Sequence, residues 1–223
     1  MEIHFKRSEL VEVNGISIVK KESEALKSLE NVIKRHLTVA STVDYSVVGF
    51  MVENNHVIAL GLYGCNLNAF PRELFVFSRL RKLNLWNNQI QEIPPSIDTL
   101  KHLENLNLEA NQLANLPDEL FSLPMKKLYL GDNKLTVLPE GIGNFKGTLT
   151  YLNLYKNKLT TLPKALFTLT LLETLGLSHN NLERIPDDLL ALRSLVRLTL
   201  EGMNLIYVPD TLDSLPKLIE LYR

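Results

Sequence analysis

Apolar residues recur in one fixed phrase along most of the chain, about every 23 residues from Val57 onward. The phrase is L-x-x-L-x-L-x-x-N-x-L-x-x-L-P-x-x-L-x-x-L-x-x, and its seven template apolar positions are apolar in all seven copies. The copies begin at Val57, Leu80, Leu103, Met125, Leu149, Leu172 and Leu195. A unit of this length cannot bury its own apolar residues, whereas stacked units align them into one continuous core. The pattern therefore predicts a solenoid of seven repeats over residues 57–217.

Each copy divides into a strand-like half and a return half. The x-L-x-L-x segment alternates with a period of two, so its leucines point inward while the residues between them face outward from a parallel sheet. Proline follows the fifth apolar position in every copy and marks where the strand has ended. About a dozen residues remain for the return, which is too short for a long helix, so short turns or 3₁₀ segments are expected. The predicted fold class is an α/β solenoid with a concave parallel β-sheet.

One polar position in the phrase is predicted to point inward. It is the ninth, which is asparagine in five copies: Asn88, Asn111, Asn133, Asn157 and Asn180. An amide donates and accepts hydrogen bonds, so a structural ladder of these side chains can satisfy backbone groups where the chain leaves the sheet. The first and last copies carry Cys65 and Met203 instead. Both are terminal copies, which are often atypical in repeat arrays. Cys65 is expected to be a buried member of the ladder rather than a reactive thiol.

Residues 1–56 are expected to form an α/β N-terminal cap. An apolar stripe predicts a helix over about 23–37, with Ser23 as its start. A strand over about 45–52, followed by a turn, predicts a hairpin that covers the open edge of the first repeat. Asn14-Gly15 predicts a second hairpin. Residues 218–223 begin an eighth strand, which either closes the stack or continues into a longer protein.

Residues 57–223 resemble the leucine-rich-repeat (LRR) family, in its 23-residue class with Leu-Pro in the second half of each unit. The repeats are similar to those of intracellular Ras-group LRR proteins, Scribble-type scaffolds and the LRR regions of Roco proteins. The flank ENNHVIALGLYGCNL also resembles archaeal LRR proteins. The resemblance implies an arc or horseshoe with a concave parallel sheet, and it implies proteins or peptides as the usual ligands. A Roco protein also needs a phosphate-binding G-x-x-x-x-G-K-[ST] segment, which this sequence lacks.

Composition narrows the function classes. Lys plus Arg number 24 against 25 Asp plus Glu, so neither nucleic acid nor an anionic membrane is an expected partner. No apolar run approaches the roughly 20 residues that a membrane span requires. The single cysteine excludes an internal disulfide framework and favours a reducing, cytoplasmic location.

The sequence contains no pattern typical of a catalytic or metal site. Its five histidines lack metal-ligand spacing, and its carboxylates form no identifiable acid/base pair. Residues 141–148 superficially resemble a phosphate loop, but Ile142 and Phe145 occupy core positions, so a repeat with one extra residue is the better interpretation. We therefore expect a protein without enzymatic activity, cofactor or metal.

Large side chains are concentrated at the outward positions of the predicted strands. The only tryptophan and most of the tyrosines fall there, at Tyr63, Trp86, Tyr129, Tyr151, Tyr155 and Tyr222. Trp and Tyr are enriched at binding hot spots, so they predict an aromatic track that contacts a partner protein or peptide. Lys82, Glu109 and Lys127 complete the predicted partner-binding set. The alternative is a tolerant repeat wall with solvated tyrosines.

Charge along the same wall is uneven, with basic residues in the early and middle repeats and Glu173, Glu201 and Glu220 later. A partner with the opposite gradient would be steered into register, although ordinary solvated charges are the alternative interpretation. The predicted function is a non-enzymatic protein-interaction module, with a monomer favoured. The alternative function is an architectural or regulatory segment of a larger signalling protein, linked to a GTPase as in Roco proteins.

Overall fold

The computed structural model describes residues 9–44 and 46–223. Tyr45, the first residue of the predicted cap strand, lies outside the described residues. The helix and strands, in chain order, are β1 (Leu10–Val13), β2 (Ile16–Val19), α1 (Lys20–Ile33), β3 (Thr38–Val39), β4 (Val48–Glu53), β5 (His56–Leu62), β6 (Lys82–Asn84), β7 (Asn105–Asn107), β8 (Lys127–Tyr129), β9 (Tyr151–Asn153), β10 (Thr174–Gly176), β11 (Arg197–Thr199) and β12 (Glu220–Tyr222).

Strands β5 to β12 lie side by side in chain order and pair in parallel, with one strand for each of the seven repeats and an eighth, β12, within residues 218–223. The register places equivalent leucines beside each other, as in Leu60, Leu83 and Leu106. These leucines are buried and merge into one core that runs the length of the stack. Each repeat therefore completes the core of its neighbours, and the predicted solenoid is confirmed.

The return half of each repeat contains a short 3₁₀ helix, as the residue count predicted. These helices are Arg72–Val76, Pro95–Thr99, Asp118–Ser122, Glu140–Phe145, Lys164–Thr168, Asp187–Ala191 and Leu212–Ser214. The Glu140–Phe145 helix is one residue longer than most others, and Ile142 and Phe145 are buried in the core. Residues 141–148, which superficially resemble a phosphate loop, are thus part of a lengthened repeat, and their apolar side chains pack in the core.

The N-terminal residues cover the first repeat, but the predicted bounds of the helix are wrong at both ends. Helix α1 follows directly from β2 at Lys20, and Ser23 is buried within it instead of capping it. The helix ends at Ile33 because Lys34 adopts a left-handed conformation with a φ of 55°. Leu37 is still buried, since its amide donates to Glu30 Oε1 at 2.7 Å and holds the reversed chain against the helix.

Both predicted hairpins are present. Asn14 and Gly15 have φ values of 51° and 79° and join β1 to β2, which form a separate two-stranded sheet. Strand β4 begins at Val48 rather than at 45, and it pairs antiparallel with β5 through a turn at Asn54 and Asn55. Strand β4 thereby occupies the sheet edge that the first repeat would otherwise leave open.

A buried carboxylate joins the cap to the first repeat. Glu22 of α1 is fully buried, and its Oε2 accepts a hydrogen bond from the Val57 backbone amide at 2.7 Å. Its Oε1 lies 2.8 Å from Nδ1 of His56. The sequence analysis did not identify this contact, because an acidic residue in the first turn of an amphipathic helix is ordinarily solvated.

The asparagines at the ninth position of the phrase form a hydrogen-bond ladder through the stack. Asn133 Oδ1 accepts from the Leu113 amide of the preceding repeat at 2.9 Å. Its Nδ2 donates to the carbonyl of Leu108 at 2.9 Å and to those of Leu130 and Gly131, both at 3.1 Å. Asn88, Asn111, Asn157 and Asn180 repeat this arrangement.

Cys65 is buried at the ladder position of the first repeat. Its backbone amide donates to Asn88 Oδ1 at 3.0 Å, and its Sγ lies 3.5 Å from the Tyr63 carbonyl. Burial raises the pKa of the Cys65 thiol, although nearby Arg35 acts in the opposite direction. The thiol is therefore less ionised at neutral pH than an exposed cysteine, which agrees with the structural role predicted for it.

Candidate binding face

The repeats present one outward surface, which we call the concave wall and define as the third, fifth and seventh residues of every phrase. Each repeat leaves this wall through an eighth residue with positive φ: Gly64, Asn87, Ala110, Asp132, Lys156, His179 and Gly202. For residues other than glycine this conformation is costly, so the surrounding structure must enforce it. The chain therefore turns off the sheet at the same point in every repeat.

Asparagines at the fifth position support this turn. The Oδ1 atoms of Asn84, Asn107 and Asn153 accept hydrogen bonds from the backbone amides two residues later, at 3.0, 2.9 and 3.1 Å. The two-residue spacing is that of an Asx turn. These contacts fix the backbone that carries the seventh-position side chains of the wall.

Among the described residues, the wall aromatics form several ring contacts. The ring centroids of Tyr63 and Trp86 are 4.9 Å apart, and those of Tyr129 and Tyr151 are 4.5 Å apart. Tyr155 is 40% exposed and meets the His179 ring edge-on at 5.2 Å. His179 was not predicted from the sequence, because it lies at the eighth position, just outside the alternating wall positions, where its φ is positive.

Glu109 and Gly131 interrupt the aromatic series, since they occupy the seventh position in the repeats between those of Trp86 and Tyr155. Tyr222 lies at the far end of the wall on β12, where it is 45% exposed and its hydroxyl is 3.2 Å from Glu220 Oε2. The aromatic surface is therefore a set of neighbouring pairs with a polar region between them.

Most of the cationic side chains on and beside the wall are in ion pairs. The pairs are Arg81 with Glu53 at 3.0 Å, Lys126 with Glu104 at 2.9 Å, Lys156 with Asp132 at 3.1 Å and Arg197 with Glu220 at 2.6 Å. These contacts neutralise much of the charge gradient that the sequence suggested. Within residues 9–44 and 46–223, neither Lys82 nor Lys127 forms an ion pair.

A cavity of about 320 Å³, the wall cavity, opens in front of β6, β7 and β8. Its lining includes Lys82, Asn84, Asn105, Asn107, Glu109, Lys127 and Tyr129. Val43 and Asp44 of the segment before β4 form one side, and Asn84 Nδ2 donates to the Val43 carbonyl at 3.2 Å. The cavity is thus made jointly by the repeats and the cap.

Gly61 of β5 permits this approach of the cap to the wall. A Cβ at Gly61 would lie 2.5 Å from the Val47 carbonyl oxygen, closer than van der Waals contact allows. Val43, which is buried, lies over the same glycine. The sequence analysis did not predict the cavity, because the segment that covers Gly61 lies outside the repeating phrase.

Glu109 lies at one side of the wall cavity and is partly buried. Burial raises the pKa of its carboxyl, the hydrogen bond from Asn153 lowers it, and the charge of Asp132 raises it. Gly131 leaves room for the carboxyl, because a Cβ there would lie 3.1 Å from Glu109 Oε1. Glu109 is therefore a weaker acid than a solvated glutamate.

No group of three or more His, Cys, Asp or Glu side chains that could hold a metal ion occurs in the part of the chain that the structure describes. Among the same residues, no helix combines the length and the apolar character needed to cross a bilayer.

Parallel strands, 3₁₀ returns and an internal asparagine ladder define the class of this molecule as a leucine-rich-repeat solenoid. Comparison with known families agrees. The family model "Leucine rich repeat" matches residues 124–182 and 147–206, and the model "Leucine Rich repeats (2 copies)" matches residues 78–121. Together these segments cover more than half of the chain, which belongs to the leucine-rich-repeat family.

A curated relative is the "Leucine-rich repeat and calponin homology domain-containing protein" of Drosophila melanogaster, which is 33% identical over 162 residues. The match covers 70% of this chain and 20% of that protein. Among solved structures, an LRR protein of Leptospira interrogans has a TM-score of 0.58 at 30% identity and covers 70% of this chain and 46% of its own. The plant peptide hormone receptor RGFR1 in complex with RGF2 has a TM-score of 0.60 at 29% identity, with coverage of 69% and 26%.

The chain spans about a fifth of the curated relative and less than half of either solved chain. These relatives identify the family and the fold. None of them assigns the chain to the Ras-group, Scribble-type, Roco or archaeal LRR proteins.

Proposed function

We propose that this protein is a non-enzymatic interaction module that binds a partner protein or peptide on its concave wall. The observation that carries the proposal is the grouping of incompletely buried aromatic rings there, above all the contact between Tyr63 and Trp86. Paired rings of this kind supply large contact area, and Trp and Tyr dominate interface hot spots. The fold is one that generally serves recognition rather than catalysis.

The wall is suited to binding because its backbone is already ordered. The ladder asparagines hold the interior, and Asn84, Asn107 and Asn153 hold the turns that lead off the wall. A preorganised surface loses less conformational entropy on association than a flexible one. Eight parallel strands about 4.8 Å apart give a wall about 34 Å long, which can accept an extended peptide or one face of a domain.

One solved relative supports a protein or peptide ligand, since it is a peptide hormone receptor in complex with RGF2. The test is a variant with Tyr63→Ala, Trp86→Ala and Tyr155→Ala, compared with wild type in quantitative affinity purification from cells of the source organism. We expect the variant to lose proteins that wild type retains. Dissociation constants are then measured with recombinant versions of those proteins. We expect the dissociation constant of the variant to be tenfold larger or more, and each factor of ten is a loss of about 1.4 kcal/mol in binding free energy.

The matched control is Val137→Ala with Leu171→Ala, which truncates two large exposed apolar side chains off the wall. We expect the control to retain the same proteins as wild type. Thermal unfolding must show that the triple variant is folded. A folded triple variant that binds as well as wild type contradicts the proposal.

A second candidate is an architectural or regulatory LRR segment of a larger signalling protein. The observation that favours it is the length of the Drosophila melanogaster relative, of which the matched repeats form a fifth. Sequencing the complete transcript tests it, because a stop codon directly after Arg223 counts against this candidate.

Two further properties belong to the same proposal. We place the protein in the cytoplasm because its one cysteine, Cys65, is a free and buried thiol. A fluorescent fusion found in a secretory compartment contradicts this location. We also propose a monomer, which sedimentation velocity tests.

A further inference from the structure

Lys82 and Lys127 differ from four other cations on and beside the wall, because neither has an ion-pair or hydrogen-bond partner among the described residues. Four other cationic side chains on and beside the wall each lie within 3.1 Å of a carboxylate oxygen. Lys82 and Lys127 form no ion pair or side-chain hydrogen bond within residues 9–44 and 46–223, and both line the wall cavity. Their positive charge is therefore available to a ligand.

Amide donors lie between the two lysines. Asn105 occupies the third position of the repeat between them and lines the same cavity, and its side chain has no hydrogen-bond partner among the described residues. Asn107 Oδ1 accepts from the Glu109 amide, and its Nδ2 has no hydrogen-bond partner among the described residues. The cavity therefore combines two ammonium groups with amide donors, a set that suits a carboxylate.

The acidic residues of the lining are engaged elsewhere. Asp44 Oδ2 accepts from the Thr42 hydroxyl at 2.5 Å. Glu109 accepts a hydrogen bond from Asn153 Nδ2, and burial raises the pKa of its carboxyl. Neither carboxylate pairs with Lys82 or Lys127.

We propose that the wall cavity binds an aspartate or glutamate side chain of an extended acidic segment in the partner, between Lys82 and Lys127. This inference rests on the proposed function and names the chemistry of the partner. The two lysines are two strands apart, about 10 Å between backbones, so their flexible side chains can converge on one carboxylate. Tyr63 with Trp86 on one side and Tyr129 with Tyr151 on the other contact the residues that flank the acidic one.

A peptide is favoured over a polyanion by the charge of the surface. Among the described residues, two unpaired cations line the cavity, and the whole chain has a formal net charge of -1. Nucleic acids require many phosphate contacts on a basic surface, whereas one carboxylate is satisfied by two ammonium groups and an amide.

The probe is a phage-displayed library of random dodecapeptides fused at their C-termini, so that every displayed carboxylate belongs to a side chain. It is selected in parallel on wild type, on Lys82→Gln/Lys127→Gln and on Lys164→Gln/Lys217→Gln, which removes two exposed lysines off the wall. We expect Asp and Glu to be enriched by wild type and by the control, but not by the cavity variant. Circular dichroism checks that all three proteins are folded.

One selected peptide is then synthesised in two forms, unchanged and with each Asp or Glu replaced by Asn or Gln. Fluorescence anisotropy measures the dissociation constant of each form with wild type and with the cavity variant, which gives the four values of a double-mutant cycle. We expect either the peptide change or the cavity variant to weaken binding by about tenfold or more, with little further loss when both are combined. Additive losses overturn the inference.

The two proposals fail in different ways. If the selected peptides are not enriched in Asp and Glu but fail to bind Trp86→Ala, this inference is overturned and the proposed function stands. Failure to select any peptide also overturns the inference, and the affinity-purification experiment then decides the proposed function separately.

Discussion

At the scale of the residue, the ladder asparagines have the most demanding role. Asn133 is buried and bridges two repeats through one accepted and three donated hydrogen bonds. We predict that Asn133→Ala lowers the free energy of unfolding by about 3 kcal/mol or more, because it leaves buried backbone groups without partners. Urea unfolding followed by circular dichroism measures the change.

Asn181→Ala is the matched control for this prediction. Asn181 is exposed, and we expect its replacement to change stability by no more than about 0.5 kcal/mol. Equal urea midpoints for Asn133→Ala and Asn181→Ala would show that water replaces the ladder at no cost.

The raised pKa of Glu109 makes a pH-dependent prediction. Because the carboxyl is a weaker acid in the folded chain than in the unfolded chain, the folded state holds the proton more tightly. Ionisation of Glu109 therefore lowers stability as the pH rises from its unfolded-state pKa through its folded-state pKa, and the loss is complete above both. Glu109→Gln removes this loss, and its amide oxygen can still accept from Asn153.

We accordingly expect Glu109→Gln to have a higher Tm than wild type at pH 7 and an equal Tm at a pH well below the ordinary pKa of glutamate. Differential scanning calorimetry across this range measures both. Glu183→Gln is the control, since Glu183 is exposed and should show no such pH-dependent difference. A Tm for Glu109→Gln that is lower than wild type at pH 7 contradicts the prediction.

Residues that repeat could be predicted from the sequence, and residues whose role depends on a single contact could not. The ladder asparagines were found because the same spacing returns in each unit, which relates every copy to the same structural position. Glu22 and His179 have no counterpart that recurs. The role of Glu22 depends on the cap packing against the first repeat, and that of His179 depends on its single ring contact with Tyr155.

At the scale of the element, the same distinction separates the repeats from the cap. Apolar spacing predicted the parallel strands and 3₁₀ returns, because the same spacing recurs in neighbouring copies and each copy indicates the same element at the same position. The helix bounds were wrong because an apolar stripe shows which residues are buried but does not show that the chain reverses at Lys34. Leu37 belongs to the buried set without belonging to the helix.

The candidate site was accessible to sequence analysis only in part. Outward positions in the phrase identified the wall aromatics and both cavity lysines. The cavity itself depends on Gly61 and on the Val43–Asp44 segment of the cap. A period detected in seven repeats contains no information about this non-repeating segment.

At the scale of the whole molecule, the stack transmits stability between neighbours, because each repeat contacts only the units beside it. The Glu22 carboxylate connects α1 to β5 at the first of these boundaries. We predict that Glu22→Ala destabilises this end of the molecule by about 1–3 kcal/mol, since the Val57 amide loses its buried acceptor. Amide hydrogen exchange should accelerate in α1, β4 and β5, and the effect should decline toward β9. Glu24→Ala removes an exposed charge from the same helix, and equal exchange profiles for the two variants would show that the cap is held by apolar contacts alone.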